Sequence, residues 1–266
     1  MMQLRLMQES SPDAAIAALF AAGEQGAWYD PSDLSTLFQD SLGATPVTDI
    51  GQPVGMMKDK SGNGRHMIQA TATNKPILRF DSNSRYYLEF DGGDDFFTCA
   101  SFDMSASENA TIFAAAAKDD DTTAGVVFES SPNISSNDYS FSLTLPATAA
   151  GANASFGSRG TVARFSTKPS LLSGATPYIL IGIADLAVGA NGLAEIRVND
   201  LSAVVNTASQ SPAANAKFGN YTAYIGKNSG GAPFDGRLYA LIVRGGVTTE
   251  GDIAIVKAYI KDKGGV

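Results

Sequence analysis

The chain has 266 residues and 44% hydrophobic content, enough for one large all-β domain or two small ones, so disorder over the whole length is excluded. Its 27 acidic against 19 basic residues give a net charge of −8, which disfavours nucleic-acid backbones and anionic membrane surfaces as partners and leaves glycans and proteins open. With Cys99 as the sole cysteine, no internal disulfide or thiolate metal cluster can form, and its expected place is a buried strand position.

From the N-terminus, Met1–Met7 has one arginine and no continuous apolar core, so it does not read as a secretory signal. No run of about 18 apolar residues offers a bilayer span. A protein made and soluble in a cytoplasm is the expectation, leaving the cell, if it leaves, inside a released particle. Ser11-Pro12-Asp13 supplies an N-cap, a proline at the first helical position and an acid in the first turn. A helix over Ala14–Ala22 follows, with Ile16, Leu19 and Phe20 on one side and Gly23 as its stop. It serves either as an arm that contacts a neighbour or as a cover for one sheet edge.

Gly26–Tyr29 reads as a first strand, and Asp30-Pro31-Ser32-Asp33 opens a brief helix through Phe38. Strands follow at Val54–Met57, Pro76–Phe80, Tyr86–Asp91 and Phe96–Ala100, with a turn cluster at Asp59–Gly64. Further strands are expected at Ala110–Ala117, Gly125–Glu129, Tyr139–Leu145, Thr161–Ser166, Tyr178–Ala184, Ala194–Val198 and Tyr221–Gly226. Pro146–Gly160, rich in Gly, Ala, Asn and Ser, reads as a long loop or a loose edge. In Arg237–Arg244 both faces are apolar, the pattern of a strand buried on two sides. Thr248 or Thr249 then caps a helix whose Ile253, Val256, Tyr259 and Ile260 form one stripe, ended by Gly264-Gly265. The sum is an all-β, two-sheet antiparallel jelly-roll sandwich with a short N-terminal helix and a closing C-terminal helix, divided as arm 1–25 and sandwich 26–266.

Several constellations bear on chemistry. His66 is the single histidine, so any Ser-His or Cys-His mechanism must run through it; it follows a glycine-rich turn with no nucleophile elbow, and a loop role is preferred. Glu89 and Asp91 alternate on one strand face, with Asp94 and Asp95 beyond, which is half of a glycosidase carboxylate pattern. Asp59, Ser61 and Asn63, with Gly64, take the first, third, fifth and sixth places of a calcium loop, but Ala70 stands at the twelfth where a glutamate is needed, and Asx turns account for the same residues. Asp119-Asp120-Asp121 reads as a solvated hairpin tip. Trp28, Tyr29, Tyr86 and Tyr87 are the candidates for stacking on sugar rings, against a preferred expectation of core packing. No phosphate-binding glycine loop and no basic stripe is present in the sequence.

The run Gly26–Asp40 (GAWYDPSDLSTLFQD), then Gly51–Val54 and Asp59–Asn63, resembles the opening of concanavalin A-like (laminin G-like) domains of tailed-phage and prophage proteins. Leu88–Gly92, Asp185, Arg197–Asn199, Tyr224–Gly226 and Phe234–Gly236, with the closing helix, resemble the rest of that pattern. The resemblance implies a non-enzymatic virion component, such as a fibre, decoration or tail part, joined through residues 1–25 to other virion proteins and assembled as a homo-oligomer. The alternative is a carbohydrate-binding domain for host or environmental glycans; a glycan-cleaving enzyme ranks third.

Overall fold

A computed structural model describes residues 11–148, 153–161, 163–169, 171, 174–187, 193–199, 204–206 and 216–266. In chain order the strands are β1 (Gly26–Tyr29), β2 (Leu37–Phe38), β3 (Met56–Met57), β4 (Met67–Ile68), β5 (Ile77–Phe80), β6 (Tyr86–Asp91), β7 (Phe97–Asp103), β8 (Asn109–Lys118) and β9 (Val126–Ser130). Then come β10 (Ser140–Thr144), β11 (Ala154–Arg159), β12 (Ala163–Lys168), β13 (Tyr178–Asp185), β14 (Leu193–Val198), β15 (Val204–Asn206), β16 (Asn220–Ile225) and β17 (Asp235–Gly245). Two helices flank them, α1 (Pro12–Ala18) and α2 (Glu250–Gly264). The eight-stranded sheet runs β15-β14-β13-β8-β17-β6-β5 with β1 beside β17, and the nine-stranded sheet runs β12-β11-β10-β9-β16-β7-β4-β3-β2. Every strand pairing among the described residues is antiparallel.

Between the sheets lies a core that draws on both, including Phe90, Phe97, Phe102, Phe128, Phe141, Phe156, Leu180, Leu238 and Leu241. Gly182 on β13 marks the closest approach: a Cβ there would stand 2.1 Å from the Phe156 ring of the facing sheet, so only glycine lets that ring in. The two Phe-Asp-Gly segments are hydrogen-bonded neighbours, with Asp91 opposite Asp235 and Phe90 opposite Gly236.

A second core seals the outer face of the eight-stranded sheet. Phe113, Ala115, Ala117, Ile179, Ile181, Tyr239 and Ile242 point outward into Ile253, Val256, Tyr259 and Ile260 of α2. β17 is therefore buried on two sides as its sequence demands, Leu238, Leu241 and Val243 going inward and Tyr239, Ala240 and Ile242 outward. Thr249 begins α2 through a complete capping box with Asp252. Asp30, at the end of β1, fastens the helix: its Oδ2 accepts from Tyr259 Oη at 2.6 Å and lies 3.0 Å from Lys263 Nζ. Burial pushes the Asp30 carboxyl up, but hydrogen bonds from Ser32 and Tyr259 and the charge of Lys263 outweigh it and hold it below the ordinary carboxylate range.

Two expectations need correction. Ala154–Arg159, read as part of a loop, is β11, hydrogen-bonded on both sides to β10 and β12. Its small residues carry little strand propensity, yet Phe156 is wholly buried and the two neighbouring ladders hold it. The helix expected through Phe38 shrinks to one 3₁₀ turn at Leu34–Thr36, after which Leu37-Phe38 joins the nine-stranded sheet.

α1 starts at its Ser11 cap as expected and ends at Ala18, tightening into i→i+3 turns through Ala21. Its Ile16, with Leu19 and Phe20 just beyond, enters the outer core beside α2. Of the two roles expected for this segment, residues 11–25 fill that of a cover; Met1–Ser10, from which an arm would extend, lie outside the described residues. Ile16→Ala removes a side chain with no exposed surface and is expected to cost about 2–4 kcal/mol in a denaturant titration. An unchanged midpoint would mean that α1 is not docked in solution.

Candidate functional site

Both helices lie on the eight-stranded sheet, so among the described residues it is the nine-stranded sheet that turns an outer face to its surroundings. Residues opposite one another in neighbouring strands share a face, and the registers join one such row from edge to edge. Phe165 opposes Gly157, Gly157 opposes Ser142, Ser142 opposes Glu129, and Glu129 opposes Tyr224. The row continues from Tyr224 to Thr98, to Ile68, to Met56 and to Phe38. At the ordinary spacing of neighbouring strands it is roughly 38 Å long.

The row is apolar at both ends and has one carboxyl in the middle. Phe165 is 45% exposed and Ile68 38% exposed; Tyr224, Thr98 and Phe38 are half-buried. Lys58 Nζ sits 4.3 Å from the Phe38 ring centroid, a cation–π contact at that end. Gly157 seats the opposite end: a Cβ there would stand 2.6 Å from Phe165 Cε1 and 3.1 Å from Ile134 Cδ1, so the aromatic ring and the isoleucine meet over bare backbone.

Glu129 points out of the sheet yet is only 1% exposed, and loops 131–138 and 227–233 both reach it, through the Ile134 backbone N–H and the Asn228 side chain. Ser229 Oγ donates to Pro132 O and joins the two loops. Arg159 secures the first loop, its Nε donating to Asp138 Oδ1 and its Nη1 to Ser135 O, each at 3.0 Å. Glu129 Oε1 has no hydrogen-bond partner. Burial drives the carboxyl up to about 7, against smaller downward pulls from the Ile134 backbone N–H and the Asn228 side chain.

The residues singled out from sequence fall elsewhere. Trp28 and Tyr87 are buried in the outer core under the helices, Tyr29 is buried between the sheets, and Tyr86 packs at the margin of that inner core. Their rings pack in or against the cores and do not assemble into an exposed stacking platform, which is the core packing preferred for these four from the sequence. Asp59 is buried, and its oxygens take four protein donors: Trp28 N–H (2.9 Å), Ser61 N–H (2.8 Å), Ser61 Oγ (2.9 Å) and Arg65 N–H (3.0 Å). Asn63 Nδ2 donates to Glu24 O and Gly26 O, both at 3.0 Å. The Asp59, Ser61 and Asn63 segment is thus a clasp holding β1, its acceptor sites already filled by protein rather than arranged around a calcium ion. His66 belongs to the clasp, its Nδ1 accepting from Asp59 N–H at 3.1 Å.

The carboxylates considered for hydrolysis are spread over the other sheet. Glu89 is held by Arg79 at 2.8 Å, while Asp91, Asp94 and Asp95 cluster at the strand end, where burial and then the neighbouring Asp91 charge raise Asp95 to about 6. A cavity of about 800 Å³ between α1 and α2 has two of its charged lining residues engaged in structure, Asp13 paired to Lys60 and Lys263 to Asp30. Sequence reasoning passed over Glu129, Tyr224 and Phe165 as members of strands; the signal that joins them is the strand order.

Comparison with known proteins bears on this geometry. No protein-family model and no curated protein sequence matches the chain. Among solved structures, domain 4 of AbnA, an extracellular GH43 arabinanase from Geobacillus stearothermophilus in complex with arabinotriose, superposes with a TM-score of 0.55 at 17% identity. That match covers 86% of this chain and 97% of the other. A botulinum neurotoxin type C structure, described with two ganglioside molecules, gives a TM-score of 0.53 at 10% identity over 77% of this chain and 48% of that one. These likenesses show the fold alone, a two-sheet antiparallel jelly-roll sandwich. The phage context expected from the sequence finds no support in these neighbours.

Asp59→Ala leaves three backbone N–H groups without their acceptor, that of Trp28 buried and those of Ser61 and Arg65 partly buried, and a loss on the order of 2–4 kcal/mol is expected in thermal or denaturant unfolding. Calcium and chelator are expected to give the wild-type protein the same melting midpoint; a calcium-dependent rise would restore the metal-loop reading.

Proposed function

We propose that the protein is a carbohydrate-binding module that receives an extended glycan along the outer face of its nine-stranded sheet. The cross-strand row from Phe165 to Phe38 carries this reading, because aromatic and aliphatic faces stack on the apolar faces of sugar rings while Thr98, Tyr224 and flanking backbone groups offer hydrogen bonds to hydroxyls. Two chains of like fold support the reading: the arabinanase domain is in complex with arabinotriose, and cell entry of the neurotoxin depends on interaction with two ganglioside molecules. Binding rather than cleavage is favoured by the row itself, in which Glu129 is the single carboxyl, whereas glycoside hydrolysis uses a pair. The particle-borne setting, the virion partners and the homo-oligomer rest on the sequence resemblance alone.

A glycan array probed with the full chain tests the function, and absence of any binder at millimolar protein would remove it. For a bound oligosaccharide, Phe165→Ala and Tyr224→Ala are each expected to weaken affinity roughly three- to tenfold, the worth of one aromatic contact. Ile255→Ala, exposed on α2 on the far side of the molecule, is expected to leave affinity unchanged.

A further inference from the structure

The middle of the outer face is covered by a lid made of the chain's own loops, and what lies beneath it is a carboxyl rather than an apolar plug. Ser142 is 2% exposed and Glu129 1% exposed although both point out of the sheet. The cover is local. Loop 131–138 folds on itself, Asn137 N–H bonding Asn133 O at 2.7 Å, and loop 227–233 turns tightly where Asn228 N–H bonds Gly231 O at 3.0 Å. A hydroxyl contact from Ser229 to Pro132 joins the two loops.

A carboxyl in such a place tolerates its neutral form and resists its charged one. An ionised carboxylate has two oxygens that both need donors, and here Oε1 has none. The charged groups on surrounding elements are engaged elsewhere: Asp138 of the first loop with Arg159 of β11 at 3.0 Å, and Lys227 of the second loop over the Phe96 ring at 3.4 Å. Its strand neighbours are Ser142 on β10 and Tyr224 on β16. Among the described residues, no cation is paired with Glu129 to stabilise its anion in the closed arrangement.

We infer that loops 131–138 and 227–233 are a proton-latched cover: protonated Glu129 lets them close over the centre of the row, and loss of its proton releases them and joins the two exposed ends into one continuous binding face. The latch deepens the glycan-binding reading for its purpose, since a covered centre divides the row and an open one accepts a longer chain. Its sign follows from the direction of the titration. The closed form holds its proton up to about 7, against an ordinary value of 4.5, and the open form, with Glu129 in water, gives the proton up near the ordinary value. Closure is therefore favoured at low pH, is progressively lost as pH rises between those two values, and levels off above about 7.

Amide hydrogen exchange of the full chain, read by mass spectrometry across a pH series and corrected for intrinsic rates, tests the latch without any glycan. Peptides covering 131–138 and 227–233 are expected to lose protection by up to about tenfold per pH unit between roughly 5 and 7. Peptides from β17 serve as the internal reference and are expected to show no such slope. In Glu129→Gln, which cannot ionise, the loop slope is expected to vanish. A wild-type slope no different from that of β17, or one retained in Glu129→Gln, overturns the latch; should Glu129→Gln not fold, the wild-type comparison with β17 decides alone. Oligosaccharide binding at pH 5.5 and 8 separates the two readings. A loop slope with no glycan bound at either pH keeps the latch and removes the glycan reading, while glycan binding with flat loop exchange does the reverse.

Discussion

The placement of the two helices on one side of the sandwich is the constraint from which the rest of this molecule follows. Residues of β8, β13 and β17 are apolar on alternate positions and on the positions between, so the eight-stranded sheet must be covered on both faces. α2 supplies that cover with a four-residue apolar stripe, and α1 closes the remaining gap beside it. Each buried aliphatic or aromatic side chain in that second layer contributes on the order of 1.5–3 kcal/mol relative to exposure. The charged groups near the helices, Asp30, Lys60 and Lys263, are then drawn into holding α2 and β1 together. Among the described residues no helix lies on the nine-stranded sheet, whose outer row is made of Ser142, Thr98, Gly157, the large side chains Phe165, Tyr224, Ile68, Met56 and Phe38, and Glu129.

That difference sets what each side of the sandwich can do. One sheet is sealed and serves as a rigid backing. The other is free to present side chains, and it presents them in a line because neighbouring strands are in register across its whole width. The line is interrupted where two loops fold back over Glu129. Burying a carboxyl with an empty oxygen lowers stability when it is charged, and such a carboxyl, not an apolar side chain, stands at the centre of this face. The combination of rigid backing, aligned side chains and a titrating centre describes a surface for ligands more readily than a surface for permanent subunit contact, which would favour a continuous apolar patch.

Local signals were sufficient for the fold. The Ser11-Pro12-Asp13 cap, the Thr249 start of α2 and the two-sided apolar pattern of β17 each have a short-range physical cause and each is found where that cause puts it. β11 was missed because Ala-Ser-Phe-Gly-Ser-Arg has neither β-branched residues nor alternation strong enough to read, and its strand state is imposed by neighbours on both sides. The site was much less legible. Trp28 and Tyr29 attracted a sugar-binding reading because aromatic pairs in strands look the same whether they face a core or a ligand; only the position of the helices shows that both are inside. Asp59, Ser61 and Asn63 have the spacing of a cation loop, and their donors, Trp28 N–H and Arg65 N–H among them, come from segments that spacing cannot reveal. Phe165, Glu129, Tyr224 and Phe38 lie up to 186 positions apart in the chain (224 − 38), and their alignment exists only after β9 pairs with β16 and β7 with β4.

The claim that the uncovered sheet face is the working surface can be tested most directly by amide NMR titration of the full chain with an oligosaccharide that it binds. The account predicts shift changes centred on residues of the row, Thr98, Tyr224, Ser142 and the strand segments beside them, with α2 and the α1–α2 cavity unaffected. Shift changes confined to α2, to that cavity or to the edge strand β5 would contradict it.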